Sequence, residues 1–567
     1  MLSTRNVDVV TVKEALEPRP GPTITPAAQI SIVVIAFNDA VHVSDAVRSA
    51  LAQGASGNTG GSSSTAVEVI AVDDSSTDGT GAALDALART EPRLRVIHRT
   101  ENSGGCGTPR NDGLRAATGR FVMFLDSDDV LPPGAAEALL AAALRHDAPV
   151  VAGSCIRREL PAHRDVPWQP ALYREAAVHG SPESSPQLVR DTLCVNKLYE
   201  RAFLAEHGIV FPEGRFTYED FVFTARVLAA SPRIVTIPES VYVWHVRRTA
   251  DRQSISLDRK HVTNWQARID AHRTSVRIFQ DAGSKALAHA ANTKFLDHDL
   301  RMYVRELHTR GADYRAEWWQ LTRDYLAGFD EADLRAARAP ARWLARVVLA
   351  SAAPRDLERL TQLAARPGRL LPPYAEAGGG AVWSEDLPEV ELDALGTKPI
   401  SRLPVTVDAE PVIGSRSVLR LRVHDMYGRL AAAEPVSIDI ELWRRVDDRR
   451  GPVHTAALTA QSAANGSVTS WTAEVVLDLP ALLERGGRRR ADPEPWDLMA
   501  QVSCADGAGF RASLRATGPG LRRRMLPSSR YLLLLVQPYA TTGGALSLRI
   551  ASGLRSVWRI AVRRLRR

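Results

Sequence analysis

Four apolar runs mark the first 130 residues: Ile30-Ser-Ile-Val-Val-Ile-Ala36, Val67-Glu-Val-Ile-Ala-Val72, Leu94 to His98, and Arg120-Phe-Val-Met-Phe-Leu125. The last is apolar without alternation, the pattern of a strand covered on both faces of a parallel sheet, and Pro132, Pro133 and Gly134 end it. Helix-sized segments lie between the runs. Val43, Val47 and Leu51 share one helical face, Leu84 and Leu87 face inward from a helix over 80–90, and a short helix with Arg110 in its first turn ends near Gly119. The succession predicts right-handed crossovers and a parallel sheet, continued by a helix over 135–146 and a strand near 149–154. Ligands of such sheets bind outside the carboxyl ends of the strands. Polar residues gather at those ends: Asn38, Asp73-Asp-Ser75, the stretch Asn102 to Asn111, and Asp126-Ser-Asp-Asp129.

Further on, Val195-Asn-Lys-Leu-Tyr199 leads through Gly208 to Gly214 and into a helix that opens on Glu219-Asp220 and runs to about Ala230. A strand, Val241-Tyr-Val-Trp-His-Val-Arg-Arg248, ends in cations and precedes a polar loop over Asp251 to Ser256. Residues 262–366 read as Ala-, Leu- and Arg-rich helices, for example Phe295 to Leu307 and Leu334 to Leu349, and Pro367 to Gly380 as a linker. From Val405 the period becomes 2. Val418–Val423, Val436–Leu442, Ser470–Val476, Trp496–Val502 and Phe510–Leu514 predict a sandwich-like all-β domain. Three tryptophans there, Trp443, Trp471 and Trp496, suit core packing better than sugar platforms. The expected organisation is a polar tail over 1–29, an α/β domain over 30–260, a helical connector and linker over 261–393, a β-sandwich-like accessory domain over 394–550 and a basic amphipathic tail over 551–567. The Gly/Ser/Thr stretch from Gly54 to Thr65 reads as a flexible surface insertion.

A chain of 567 residues is too long for one core. Its formal charge of +7, carried almost wholly by arginine, favours phosphate-bearing partners or an anionic membrane surface. The arginines of 554–567 ring an apolar helical face, which suits peripheral contact with such a surface. Nothing in the motifs points to nucleic acid. Cys106, Cys155, Cys194 and Cys504 have no metal-ligand spacing and form no disulfide framework, so a reducing, cytoplasmic setting fits. No run approaches the roughly 20 apolar residues that span a bilayer, and the N-terminus has no signal-type apolar segment.

Taken singly, each polar cluster has an ordinary explanation: Asp73 to Thr80 as turn and cap, Asp126 to Asp129 as a capping loop, Glu219-Asp220 as charge complementing a helix dipole, His245 as a packed histidine. Their recurrence at strand ends makes one crevice the better account. Asp126 and Asp128 repel at this spacing unless a cation is shared, and hard carboxylate oxygens suit Mg²⁺ or Mn²⁺ bridging a diphosphate. An aspartate after the second strand can accept from a base N–H, and Arg110 can lie against a base or reach phosphates. His245 and Arg247, two apart on one strand face, can grip a departing diphosphate.

The ordered set of Phe37-Asn38, Asp73-Asp-Ser75, Asn102 to Asn111, Asp126-Ser-Asp-Asp129, Glu219-Asp220 and the His245/Arg247 strand, over roughly 30–258, resembles family 2 glycosyltransferases of the GT-A fold. The 196–220 block and the appended C-terminal module are most similar to bacterial cell-surface enzymes, including those that add N-acetylglucosamine to wall teichoic acid. The resemblance implies an α/β GT-A catalytic domain and a nucleotide-sugar donor bound by Ala36, Asn38, Asp74, Arg110, Asp126, Glu219, His245 and Arg247. Within that set Asp74 would meet uracil, Asp126 ribose or donor sugar, and His245 with Arg247 the pyrophosphate. It further implies Asp128 on the metal, Asp220 as general base, and a polymeric glycan or polyol-phosphate acceptor. Asp129 is expected to be structural. The C-terminal module would bind acceptor or join copies of the chain. Chain extension instead of decoration, or donor binding without catalysis, are the rival expectations.

Overall fold

A computed structural model describes residues 28–54, 66–161, 163–247, 259–462, 468–483, 493–529 and 531–552. The stretches assigned above to tails or loops at 1–27, 55–65, 248–258 and 553–567 lie outside the described residues. The chain divides into two compact units, Met1–Phe295 and Leu296–Arg567.

The first unit opens with β1 (Ile30–Ala36), α1 (Val43–Leu51), β2 (Val67–Asp73), α2 (Thr80–Ala88), β3 (Leu94–His98), α3 (Gly107–Ala116), β4 (Phe121–Asp126) and α4 (Ala135–His146). These match the apolar runs and the helix-sized segments between them. β1 is buried along its whole length, as a strand covered by helices on both faces must be. It pairs in parallel with β2 and with β4, and β2 with β3, so Ala36 stands beside Asp73 and Ile35 beside Asp126. This register brings the polar strand ends to one edge.

Beyond β4 the sheet becomes mixed. β5 (Val150–Leu160), β6 (Arg164–Trp168), β7 (Ala177–His179), β8 (Lys197–Glu200), α5 (Arg201–Glu206), α6 (Glu219–Ala229) and β9 (Ile234–Arg247) follow, then α7 (Thr263–Asp281) and α8 (Lys285–Lys294). The sheet order is β3-β2-β1-β4-β8-β5-β9-β7, with β6 on β5. Short β8 sits antiparallel between β4 and β5. The apolar core wraps around β1, β4, α1 and α4, and Phe124, Tyr199, Phe211 and Phe223 form an aromatic cluster beneath the polar edge.

The described residues of the second unit include the α-helices α9 (Arg301–Leu307), α10 (Ala312–Leu326), α11 (Glu331–Ala336), α12 (Ala339–Ala350) and α13 (Leu357–Ala364). The single helix expected over Leu334 to Leu349 is two. Pro340, in the first turn of α12, lacks the N–H that a helix running through from α11 would need, and Ala337 and Arg338 before it are non-helical, at ψ 150° and 141°. Within the Pro367–Gly380 stretch, read as a linker, Arg369 to Leu371 are buried. Arg369 is 1% exposed and donates to the side chain of Gln362, to Ser513 and to the carbonyl of Gly543, while Leu370 and Leu371 are buried. A three-stranded sheet, β10 (Ala375–Ala377), β11 (Gly380–Ser384) and β12 (Leu387–Glu391), comes next.

The remainder is strand-rich, as its period of 2 predicts. β13 (Val407–Val412), β14 (Val418–His424), β15 (Pro435–Arg444), β16 (Arg449–Ala457), β17 (Thr459–Ser462), β18 (Val468–Val476), β19 (Glu494–Cys504), β20 (Gly509–Ala516), β21 (Arg524–Ser528), β22 (Leu532–Ala540) and β23 (Leu546–Ser552) are hydrogen-bonded into one sheet, in which β15 and β16 branch off at β19. A parallel pairing of β13 with β20 joins its two groups of strands. Trp471 and Trp496 are core residues; Trp443 is half-buried, with Arg450 and Arg511 over its ring at 5.8 and 5.5 Å.

Candidate active site

The ends of β1, β2 and β4 are tied to one another by their own loops. Asn38, at φ 51°, donates its backbone N–H to Ser76 Oγ at 2.9 Å and accepts from the Thr77 N–H at 2.7 Å. Its left-handed backbone suits asparagine, whose side chain bonds locally. Asp39 accepts from Ser127 Oγ at 2.8 Å, joining the loop after β1 to that after β4. The carbonyl of Ala36 accepts from the Asp74 N–H at 2.9 Å. Asp74 itself is 4% exposed, and its carboxylate is encircled by donors: Arg99 Nε at 2.8 Å, Asn102 Nδ2 at 2.9 Å, and the Ser103 N–H and hydroxyl at 3.1 and 2.8 Å. In this arrangement Asp74 holds the loop after β3.

Arg110 is the centre of a second cluster. It is 2% exposed, its ring-plane neighbour is Phe211 at 5.3 Å, and its fork reaches three carboxylates: Asp126 Oδ1 at 2.7 Å, Glu219 Oε1 at 2.5 Å and Asp220 Oδ1 at 2.9 Å. Residues from the start of α3, the end of β4 and the start of α6, up to 110 positions apart, thus meet on one cation. The guanidinium placed by sequence against base or phosphate is here the shared counter-ion of the carboxylates. Burial pushes the Glu219 carboxyl up to about 7, Arg110 opposing and Asp220 and Asp126 adding to the shift.

The third cluster gathers Asp128, Asp129, His245 and Arg247. Arg247 Nη1 donates to the Asp128 carbonyl at 2.9 Å and carboxylate at 3.1 Å. Burial first, then Asp126, raises the Asp128 carboxyl to about 6, against the pull of Arg247. Asp129 is buried and accepts from the Tyr242 hydroxyl and the His245 N–H, both at 2.7 Å, which fits a structural aspartate; burial holds it well above the carboxylate range. His245 Nδ1 lies 3.0 Å from the Asp128 carbonyl, an acceptor, so Nδ1 carries the proton, and burial lowers the ring's pKa. Tyr242 links the second and third clusters by also accepting the Asp126 N–H at 3.2 Å. Neither Tyr242 nor Cys194, whose thiol lies 3.2 Å from Asp220, was singled out from sequence; a tyrosine alternating with apolar neighbours on β9 was the one available sign.

Among the described residues no group of three or more His, Cys, Asp or Glu side chains is arranged to hold a metal ion. Were a cation bound, Asp128, a part-buried carboxylate crowded by other acids, would be the residue that holds it. A cation held there would take its other ligands from donor phosphates or water, as Mg²⁺ does.

Residues 31–193 match the family model for glycosyl transferase family 2, and the first unit carries a domain of that family. The resemblance read from the motifs is borne out to this level. Among the relatives, the chain is 28% identical over 247 residues to the succinoglycan biosynthesis protein ExoO of Rhizobium meliloti, covering 42% of this chain and 66% of that protein. It is 29% identical over 226 residues to the poly(ribitol-phosphate) beta-N-acetylglucosaminyltransferase TarS of Staphylococcus aureus, covering 40% of this chain and 37% of that protein. In both cases the matched part is less than two thirds of the relative's length. The crystal structure of S. aureus TarS aligns with a TM-score of 0.50 at 18% identity, over 92% of this chain and 85% of that one, a likeness of fold.

Proposed function

We propose that the chain is an inverting glycosyltransferase that moves a sugar from a UDP-sugar, UDP-N-acetylglucosamine first among candidates, to a hydroxyl of a bacterial cell-surface polymer with polyol-phosphate character. The observation that carries this reading is the meeting of Asp126 and Asp220 on Arg110 at the strand ends of a family 2 domain. The donor sugar and the acceptor are drawn from what the TarS relative is named for.

An acceptor hydroxyl is a poor nucleophile at neutral pH, and in this reading Asp220, in the first turn of α6, takes its proton as it attacks the anomeric carbon. In-line displacement then inverts that carbon, as in glycosidases where one carboxylate works across the ring from the leaving group. Arg110 fixes Asp220 and Asp126 relative to each other, so base and donor contact share one geometry. Arg247 supplies positive charge for the departing diphosphate. His245, with Nδ1 engaged, offers Nε2, which donates to phosphate once the ring is protonated. Asp128 would hold Mg²⁺ or Mn²⁺, which when bound supplies charge neutralisation to the leaving group.

The test is UDP release by the purified chain from a panel of UDP-sugars with Mn²⁺, with and without ribitol-phosphate polymer. Wild type should release UDP, and Asp220→Asn should lose transfer yet still bind donor. Release from no UDP-sugar would sink the reading, and a fully active Asp220→Asn would remove the base. A chain-extending activity, the rival to decoration, would show as products that lengthen with time.

A further inference from the structure

The Asn196-Lys-Leu-Tyr199 block takes no part in the steps above, yet its side chains are among the most tightly held of the first unit. Asp191 is 2% exposed and accepts from Trp168 Nε1 at 2.9 Å, the Tyr173 hydroxyl, Asn196 Nδ2 at 2.9 Å and Lys197 Nζ at 2.8 Å. Lys197 Nζ also donates to Asn196 Oδ1 at 3.0 Å and to the Leu193 carbonyl. A buried ion pair is tolerated when its remaining lone pairs and protons are satisfied, and here they are, by Leu193 and Asn196 of the same segment and by Trp168 and Tyr173 outside it. Two more bonds fix the loop between them: the Tyr199 hydroxyl donates to the Cys194 carbonyl at 3.1 Å, and Thr224 of α6 donates to the Thr192 carbonyl at 3.2 Å. This closes the loop onto the helix whose first turn bears Asp220.

Cys194, at 0% exposure, is what the loop presents to that carboxylate. Its N–H donates to Asp220 Oδ2 at 3.3 Å and its thiol to Asp220 Oδ1 at 3.2 Å, where Arg110 also donates at 2.9 Å. Burial keeps the thiol protonated, hence a donor. The terminal torsion of an aspartate is broad and nearly two-fold, so an unrestrained carboxylate turns freely and exchanges its two oxygens. Donors on each oxygen remove that freedom.

We infer that the Asp191–Tyr199 segment is a clamp for the general base, in which Cys194, as a positioning residue, locks the Asp220 carboxylate so that Oδ1 is anchored and Oδ2 receives the acceptor's proton. It rests on Asp220 being the base. Arg110, Glu219, Asp126, Cys194, Tyr199 and Cys106 are the charged and titratable groups that face that carboxylate among the described residues.

Cys194→Ala removes the thiol donor and keeps the backbone one; Cys194→Ser restores a side-chain donor. Steady-state transfer should show kcat down about tenfold in the alanine variant, the scale of one hydrogen bond to a charged group, with donor KM unchanged and most of kcat regained in the serine variant. An alanine variant with wild-type kcat, or a serine variant no better than alanine, overturns the clamp. Infrared difference spectra of wild type against Cys194→Ala isolate this one S–H stretch without any turnover. Asp220→Asn should shift that band toward a free thiol, and a band indifferent to Asp220→Asn overturns the contact itself. Wild type that releases no UDP while the band still responds would discard the base and leave the contact standing.

Discussion

One guanidinium, Arg110, faces the carboxylates of Asp126, Glu219 and Asp220 within 2.9 Å, so at full ionisation the buried cluster carries an excess of negative charge. The excess is relieved most readily at Glu219, which burial pushes up to about 7 while Arg110 pulls the other way. The sign for stability follows. An ordinary glutamate ionises near 4.3, so between roughly pH 4.3 and 7 the folded chain binds a proton that the unfolded chain has lost, and stability contributed by this group falls as pH rises through that window. Above it the full cost applies, at most about 4 kcal/mol for a shift of this size. Glu219→Gln mimics the protonated acid at every pH. Denaturant unfolding should therefore find it close to wild type near pH 4.5 and more stable than wild type near pH 8; a difference that does not change with pH would refute the charge-excess account.

The helix α3 that carries Arg110 lies against β1 at a glycine. A Cβ on Gly113 would stand 2.2 Å from Val33 Cγ1, inside a strand that is buried throughout. In an exposed helix Gly→Ala gains up to about 1 kcal/mol, whereas overpacking costs about 1–3 kcal/mol. Gly113→Ala should destabilise by about that latter amount and, by lifting α3, weaken the Arg110 contacts; unfolding midpoints measure the first and donor affinity the second. The apolar runs of β1, β2 and β4 and the helix spacing between them were legible because burial on both faces writes itself into local sequence. So were the acids at the strand ends. The partners of Arg110 were not, since a buried fork is set by tertiary approach of α3, β4 and α6, and neither was the antiparallel insertion of four-residue β8, too short to carry a period. Arg369 shows the same limit: a Pro- and Gly-bounded stretch looked like linker, and only its long-range bonds to Gln362, Ser513 and Gly543 make it core.

Every candidate site residue from Ala36 to Arg247 lies in the unit Met1–Phe295, as does the family 2 match. That unit has its own core, and its last residue belongs to it: Phe295 is 0% exposed, with ring centroids 5.4 Å from Trp265 and 4.6 Å from His272. Among the described residues no helix is long and apolar enough to cross a membrane. A fragment ending at Phe295 should fold cooperatively and release UDP from the same donor as the whole chain. One ending at Ala291 loses that ring and should be destabilised by about 3–5 kcal/mol, the cost of deleting a buried phenylalanine. If unit Leu296–Arg567 grips the polymer, the longer fragment will keep donor turnover while its KM for polymeric acceptor rises and that for a short acceptor stays put. Equal KM values for the polymer in fragment and whole chain would instead assign the strand-rich region a task other than holding acceptor.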